Sequence, residues 1–347
     1  MNTFKIGKVR VGKSVKPFII AEIAQNHDGS LGQAHAYIDA VARAGADAVK
    51  FQTHIASEES SRQETFRVPF SYVDKTRYAY WKRMEFSCGQ WAGLKKHAVE
   101  KGLIFLSTPF SLKAAQLLHH IGCPAWKVGS GETNNAGLLV FMIKTKKPIL
   151  LSTGMSTYSE IDQAVGRILR SGSPLALFQC TTKYPTPFRD VGLNVLGEFA
   201  DRYHVPVGLS DHSGSIFPSL FAMARGASFI EVHVAFHKGQ FGPDISASIT
   251  MDDLALLVRG AKALNLINRH PIDKDRMASD LIETKKMFGK SIGTARELKK
   301  GTALRKALLK DLKPGTGIPA KDLADVIGKK LRRDLGKNQL LHWKDIS

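Results

Sequence analysis

The chain has 347 residues, 43% hydrophobic and 23% charged, enough for one barrel-sized core plus a smaller module. Its three cysteines, Cys88, Cys123 and Cys180, lie far apart with no CxxC spacing, and no apolar run reaches the roughly 18 residues of a membrane span. This disfavours a disulfide framework, a cysteine-bound zinc and a membrane protein, and points to the cytoplasm. The formal net charge of +19 is uneven: residues 284–347 hold 17 Lys and Arg against 6 Asp and Glu, which suits an anionic substrate, nucleic acid or membrane, or only a solvated face.

In chain order, residues 1–18 (MNTFKIGKVRVGKSVKPF) predict a two-stranded flap closing the floor of the domain that follows. Eight short apolar runs then alternate with stretches of helical length: 17–27, 48–55, 103–110, 125–132, 148–154, 174–182, 205–212 and 229–236. Eight βα units in about 260 residues predict a closed (β/α)8 TIM barrel before an open sheet. Ser30 and Gly45 bracket the first helix as caps. The one long interruption, 56–87, carries seven aromatic residues and follows a strand, so it is expected to form a lid or substrate wall on the catalytic face. The domains expected are a barrel with its hairpin over 1–268, a polar linker over 269–284, and a small β-rich module over 285–347.

Reacting groups of such a barrel sit at the C-terminal ends of its strands. Those ends carry Glu22, Lys50, Gln52, His54, Thr108, Lys127, Ser130, Glu132, Ser152, Thr182, Tyr184, Ser210, His212, Glu231 and His233. Side chains two apart on a strand face the same way, so Lys50, Gln52 and His54 share a face, as do Ser210 with His212 and Glu231 with His233. Singly, each has a structural explanation as a helix cap or a satisfied loop residue. Together they suggest more. His212 and His233 end consecutive strands and suit a divalent cation, with Glu231 orienting a ligand, or else two structural histidines. Lys50 and Lys127 with four hydroxyls suit a phosphate, while either lysine could instead form a Schiff base. Neither a P-loop nor a dinucleotide fingerprint is present.

The strings IAEIAQNHDGSL, AVKFQTH, FLSTPF, KVGSGE, LSTGMS, YPTP, GLSDHS and GPD occur in this order, and with KPGTGI in the tail they closely resemble the sialic acid synthase family. The resemblance implies an enzyme that condenses phosphoenolpyruvate with N-acetylmannosamine or a similar N-acetylated hexosamine to a nine-carbon 2-keto acid and phosphate. It also implies an antifreeze-like C-terminal domain and a domain-swapped homodimer. Carried over by position, it implies a metal, Mn²⁺ or Mg²⁺, on His212 and His233. Lys50, Thr108, Lys127, Ser130, Ser152 and Ser210 would hold phosphoenolpyruvate, and Glu22, Gln52, Tyr184 and Asp244 would contact the sugar. Glu132 would be the acid/base group, with Phe110, Thr182 and Lys313 among the substrate-binding positions. Two of these depart from the family's frequent pattern, Thr182 for Asn and Lys313 for Arg, and lysine lacks the planar fork of a guanidinium. Legionaminate- or pseudaminate-type synthases using a diacetamido-6-deoxyhexose are the alternative. A phosphorylated-sugar aldol synthase and a non-catalytic carbohydrate-binding scaffold rank below them. Few aromatics interleave the basic residues of the tail, which disfavours nucleic acid.

Overall fold

The computed structural model describes residues 3–66 and 69–347, and the chain divides into two units, Met1–Arg269 and His270–Ser347. The first unit opens with an antiparallel hairpin of β1 (Thr3–Ile6) and β2 (Val9–Gly12). Eight parallel strands follow: β3 (Phe18–Ala24), β4 (Ala48–Thr53), β5 (Ile104–Pro109), β6 (Trp126–Val128), β7 (Ile149–Ser152), β8 (Leu175–Cys180), β9 (Val207–Asp211) and β10 (Phe229–Ala235). They pair in the order β5-β4-β3-β10-β9-β8-β7-β6. The first barrel strand thus lies beside the last, with Glu22 opposite His233. Only the seam between β5 and β6 lacks a ladder among the described residues, so the expected barrel is present and nearly closed. A two-residue strand, β11 (Ile249–Thr250), extends β10.

Alternation along each strand builds two apolar layers. Outward residues such as Ile19, Ala21, Val49 and Leu151 pack under the helices with Trp91 and Trp126. Inward residues Phe18, Ile20, Leu106, Leu150, Phe178 and Phe229 fill the barrel, and Phe4, Ile6 and Val11 of the hairpin join them. The Phe4 and Phe229 rings stack at 6.0 Å, so the hairpin does plug the barrel floor. Local signals set the helix ends as expected: Ser30 Oγ accepts the Gln33 N–H at 3.2 Å, and Gly45 closes the same helix at φ 82°.

The second unit pairs β12 (Ser291–Thr294) with β13 (Leu309–Leu312) around a small core that includes Ile292, Leu304, Ile318, Leu331 and Leu341. The stretch expected as a linker is ordered locally, with helices Lys274–Asp280 and Ile282–Phe288. Asp273 explains the first of these, since its carboxylate accepts the N–H groups of Asp275 and Arg276. Among the described residues no helix is long and apolar enough to cross a membrane.

Candidate active site

The inward face of the barrel changes chemistry partway up. Two residues beyond Ile20, Ala48, Leu106, Ala125, Leu150, Phe178 and Phe229 stand Glu22, Lys50, Thr108, Lys127, Ser152, Cys180 and Glu231. Ser210 stands likewise above Gly208, where a Cβ would fall 2.7 Å from the Phe229 Cβ. A further step along β4, β9 and β10 brings Gln52, His212 and His233. A polar ring thus sits on an apolar plug, under a cavity of about 570 Å³.

Four buried charges cross that ring. Lys50 Nζ lies 2.7 Å from Glu22 Oε2 and 3.7 Å from Glu231 Oε1, and it donates to Thr108 Oγ1 at 3.1 Å. Lys127 Nζ lies 3.2 Å from Glu231 Oε1 and donates to Ser152 Oγ at 2.6 Å. Burial opposes the charge on Lys50, but the carboxylates of Glu22 and Glu231 outweigh it and hold its pKa above the ordinary lysine value. For Lys127 burial prevails, and its pKa falls below the ordinary value despite Glu231. Glu231 also accepts from Ser210 Oγ at 2.9 Å. Its carboxylate therefore bridges the two lysines, which differs from the expectation that it orients a histidine. The side chain is too short of the imidazole layer, sitting one inward step below His233.

Above the ring, His212 and His233 meet with ring centroids 5.1 Å apart. His212 Nδ1 donates to the Thr181 carbonyl at 2.9 Å, an acceptor only, so Nε2 is the nitrogen turned toward the cavity, where Tyr184 Oη lies 3.1 Å away. Burial holds the His233 pKa well below its usual range, with His212, Lys50 and Lys127 adding to the effect, which keeps a lone pair available. Its Nδ1 is buried without a hydrogen-bond partner, 3.8 Å from Asp244 Oδ2. Among the described residues no group of three or more His, Cys, Asp or Glu side chains is arranged to hold a metal. The two imidazoles are the nitrogen donors that a divalent cation would find here, His212 oriented through its far nitrogen, and any such ion would need its remaining ligands from water and substrate.

Every expected site residue of the barrel lines this one cavity: Glu22, Lys50, Gln52, Thr108, Phe110, Lys127, Ser130, Glu132, Ser152, Thr182, Tyr184, Ser210, His212, His233 and Asp244. Ser130 Oγ accepts the Gly154 N–H at 3.0 Å, and the Thr182 hydroxyl is buried without a partner. Burial pushes the Glu132 carboxyl up, with Asn135 Nδ2 donating to it at 2.7 Å. Lys313 belongs to the second unit, where its Nζ lies 5.2 Å over the Phe288 ring.

The cavity has a wall that was legible only as a whole. Residues 56–87 contribute Glu59, Glu64, Phe66, Phe70, Arg77, Tyr80 and Trp81 to it, as the length and aromatic content of the insertion suggested, although no periodicity there marks individual side chains. Residues 67 and 68 of this segment lie outside the described ones. Trp81 and Phe110 sandwich the His54 ring at 3.9 and 4.4 Å. His54 Nδ1 pairs with Glu59 at 2.6 Å and its Nε2 lies 3.3 Å from Gln52 Oε1. Gln52 Nε2 in turn donates to Glu22 at 2.9 Å, and Gln25 Nε2 donates to Gln52 Oε1 at 3.1 Å. Gln25, Glu59 and Cys180 were not anticipated as site residues.

The family model described as NeuB family matches residues 37–271, and that of the SAF domain matches residues 289–347. The chain belongs to the NeuB family. As the strings suggested, it is an enzyme of the sialic acid synthase type with a SAF-domain tail. It is 31% identical to the N,N'-diacetyllegionaminic acid synthase of Campylobacter jejuni, over 94% of this chain and 99% of that one. It is 33% identical to the human N-acetylneuraminate-9-phosphate synthase, over 92% of this chain and 90% of that one. Among solved structures it resembles the N-acetylneuraminic acid synthetase of Leptospira borgpetersenii, solved with citrate. That likeness has a TM-score of 0.71 and 29% identity, and covers 82% of this chain and 97% of the other. NeuB relatives with different products thus lie at similar identity, so overall similarity does not select the sugar.

Proposed function

We propose that this NeuB-family chain condenses phosphoenolpyruvate with the open-chain aldehyde of an N-acylated hexosamine, N-acetylmannosamine or a relative, to a nine-carbon 2-keto acid and inorganic phosphate. The observation that carries this reading is the pair of buried lysines, with hydroxyls on either side, one layer beneath two imidazoles in a single cavity. Lys50 with Thr108, and Lys127 with Ser152, suit phosphate and carboxylate oxygens, and Ser130 and Ser210 supply further hydroxyls. Gln52, Tyr184 and Asp244 border the side from which a sugar would enter. In the proposed reaction C3 of phosphoenolpyruvate bonds to the aldehyde carbon, whose oxygen becomes a hydroxyl. Water adds at C2, and the C2–O bond to phosphate breaks to leave the ketone. Glu132, its carboxyl pushed up by burial, suits transfer of the water proton.

The metal, Mn²⁺ or Mg²⁺, belongs to the same proposal. Held by His212 and His233, it would polarise the aldehyde oxygen as a Lewis acid and offset part of the substrate's negative charge. A charge argument supports it, because Lys50 and Lys127 are already balanced by Glu22 and Glu231. We also propose a domain-swapped homodimer. Exposed apolar side chains along the junction, Ile267, Ile272, Ile282, Met287 and Phe288, support burial against a second copy, and sedimentation at several concentrations tests it.

The deciding experiment follows phosphate release from phosphoenolpyruvate in EDTA and with Mn²⁺ restored, for the parent and His233→Ala, with N-acetylmannosamine or a diacetamido-6-deoxyhexose. Release that requires sugar and metal and is lost in the variant supports the reading. Release with the deoxy sugar alone keeps the reaction and changes the acceptor. No release with any sugar sinks it.

A further inference from the structure

The loop that follows β10 carries Asp244 to the cavity, where its Oδ2 lies 3.8 Å from His233 Nδ1. Irregular segments hold a side chain accurately only when something rigid supports them. The support here comes from the first strand of the barrel. Asn26 follows β3, which lies beside β10 in the sheet. Its Nδ2 donates to the Val234 carbonyl at 2.7 Å and to Ser248 Oγ at 3.1 Å. Ser248 Oγ donates in turn to the Asp244 carbonyl at 2.8 Å, which also accepts the Ala247 N–H at 3.1 Å. The same amide meets the other flank of Asp244. Gly242 takes φ 148°, and a Cβ there would fall 3.3 Å from Asn26 Oδ1. Residues 242 and 248 thus both rest on Asn26, with Asp244 between them.

Both ends of this link are fixed. The Asn26 carbonyl accepts from Gln240 Nε2 at 2.7 Å, and Tyr37 Oη donates to Gln240 Oε1 at 2.8 Å. The Ser248 carbonyl accepts from Lys238 Nζ, which also donates to the Gly214 carbonyl at 2.9 Å. Asn26 and Ser248 are shut off from solvent, so water does not readily replace a bond lost between them. The chain bends to bring Asn26 there: the β3–β4 register slips between Glu22 and Ala24, and Ala24 takes φ 49°. That left-handed conformation is uncommon for a residue with a Cβ, and strain of this kind gathers at functional sites. Asn26 and Ser248 stand behind the cavity lining, which Asp244 and Ser246 reach. The buried lysine ring is held separately, by its own ion pairs with Glu22 and Glu231.

We infer that Asn26 and Ser248 are positioning residues for the acceptor sugar, acting through the Asp244 backbone to set where its carboxylate stands beside His233. The inference rests on the synthase reading above, with Asp244 on the side from which the sugar enters.

The test uses the full chain with phosphoenolpyruvate, Mn²⁺ and whichever of N-acetylmannosamine and a diacetamido-6-deoxyhexose the parent consumes. It compares Ser248→Ala, Asp244→Asn and the double variant. Ser248→Ala deletes the hydroxyl that joins Asn26 to Asp244 and leaves the Asn26 bond to Val234 in place. The KM for the sugar should rise roughly 10-fold, while that for phosphoenolpyruvate stays within about 2-fold. Because Ser248 acts through Asp244, adding Ser248→Ala to Asp244→Asn should change the sugar kcat/KM by less than about 2-fold further, whereas independent sites multiply their effects. Asn26→Ala should reproduce the sugar-specific loss by a second route. An unchanged sugar KM in Ser248→Ala, equal rises for both substrates, or effects that multiply in the double variant would each overturn the inference. Failure of the parent to consume phosphoenolpyruvate with either sugar removes the synthase reading and this inference with it, a result distinct from those three.

Discussion

Lys50 and Glu22 meet across the β3–β4 register with Nζ and Oε2 2.7 Å apart, both side chains closed off from solvent. A buried pair of this kind adds little net stability when intact, but breaking it from one side is costly. Lys50→Met should therefore lower stability by about 3 kcal/mol, because Glu22 loses its cationic partner and Glu231 one of two. Adding Glu22→Gln should return much of that loss without restoring turnover. The kcat/KM for phosphoenolpyruvate should stay at least about 100-fold down in both variants, the scale expected for a lost charge-assisted contact. Urea unfolding and steady-state kinetics separate the two effects. Recovery of activity in the double variant would show the lysine to be structural.

His54 tests whether the wall positions the sugar. Stacked between Trp81 and Phe110 and tied to Glu59, it packs its Nε2 3.3 Å from the Gln52 oxygen, which accepts from Gln25 Nε2 while the Gln52 amide nitrogen faces Glu22. With His54→Ala the amide loses one of its anchors, and the KM for the sugar should rise about 10-fold, the value of one ordinary hydrogen bond. The KM for phosphoenolpyruvate should move much less. Equal rises in both would mean the substitution has disturbed the whole site.

Gly154 is a steric requirement beside Ser130, Cys180 and Thr182. A Cβ there would fall 2.5 Å from Thr182 Oγ1, 2.9 Å from Ser130 Oγ and 3.0 Å from Cys180 Sγ. Gly154→Ala should push these groups apart and lower kcat/KM by about 100-fold, as misplacements of an ångström do. Circular dichroism and the unfolding midpoint should change little. Near-parent activity would show that the loop relaxes freely.

The barrel and its polar ring were legible because each strand carries a period-two pattern that turns from apolar to polar at its C-terminal end, as in Ile20 to Glu22 or Phe229 to Glu231. The partners were not. Whether Glu231 faces a lysine or a histidine depends on the stagger of β10 against β9 and β3, which sets Glu231 opposite Ser210 and His233 opposite Glu22. The Glu64–Arg77–Trp81 contacts join residues across an irregular segment, where no periodicity assigns a face. The helices Lys274–Asp280 and Ile282–Phe288 were not anticipated, because they are short, exposed and rich in charge.

Arg83 joins the base of that wall to the barrel, and this gives a pH dependence. Its guanidinium holds Asp74 through Nε at 3.2 Å and Nη2 at 2.8 Å, and reaches Asp28 Oδ1 at 2.6 Å. The fit is close, since a Cβ at Gly29 would lie 2.4 Å from the Arg83 carbonyl oxygen. The hydrogen bonds from Arg83 hold the Asp74 carboxyl below its ordinary value, outweighing burial, with Ser71 adding to the effect. A carboxyl depressed in the folded state contributes its full stabilisation above the unfolded pKa, about 3.9, and loses it as pH falls through the lower folded value. Exchange of the amides in Arg77–Met84 should therefore show constant protection from about pH 8 to 5, after correction for intrinsic rates, and loosen below about pH 4. Arg83 is partly exposed, so Asp74→Asn should cost only about 1 kcal/mol, seen as faster exchange of this helix at pH 7 and a smaller change on acidification. Identical exchange in variant and parent at pH 7 would mean that the aromatic packing of Tyr80 and Trp81, and not the ion pair, holds the wall in place.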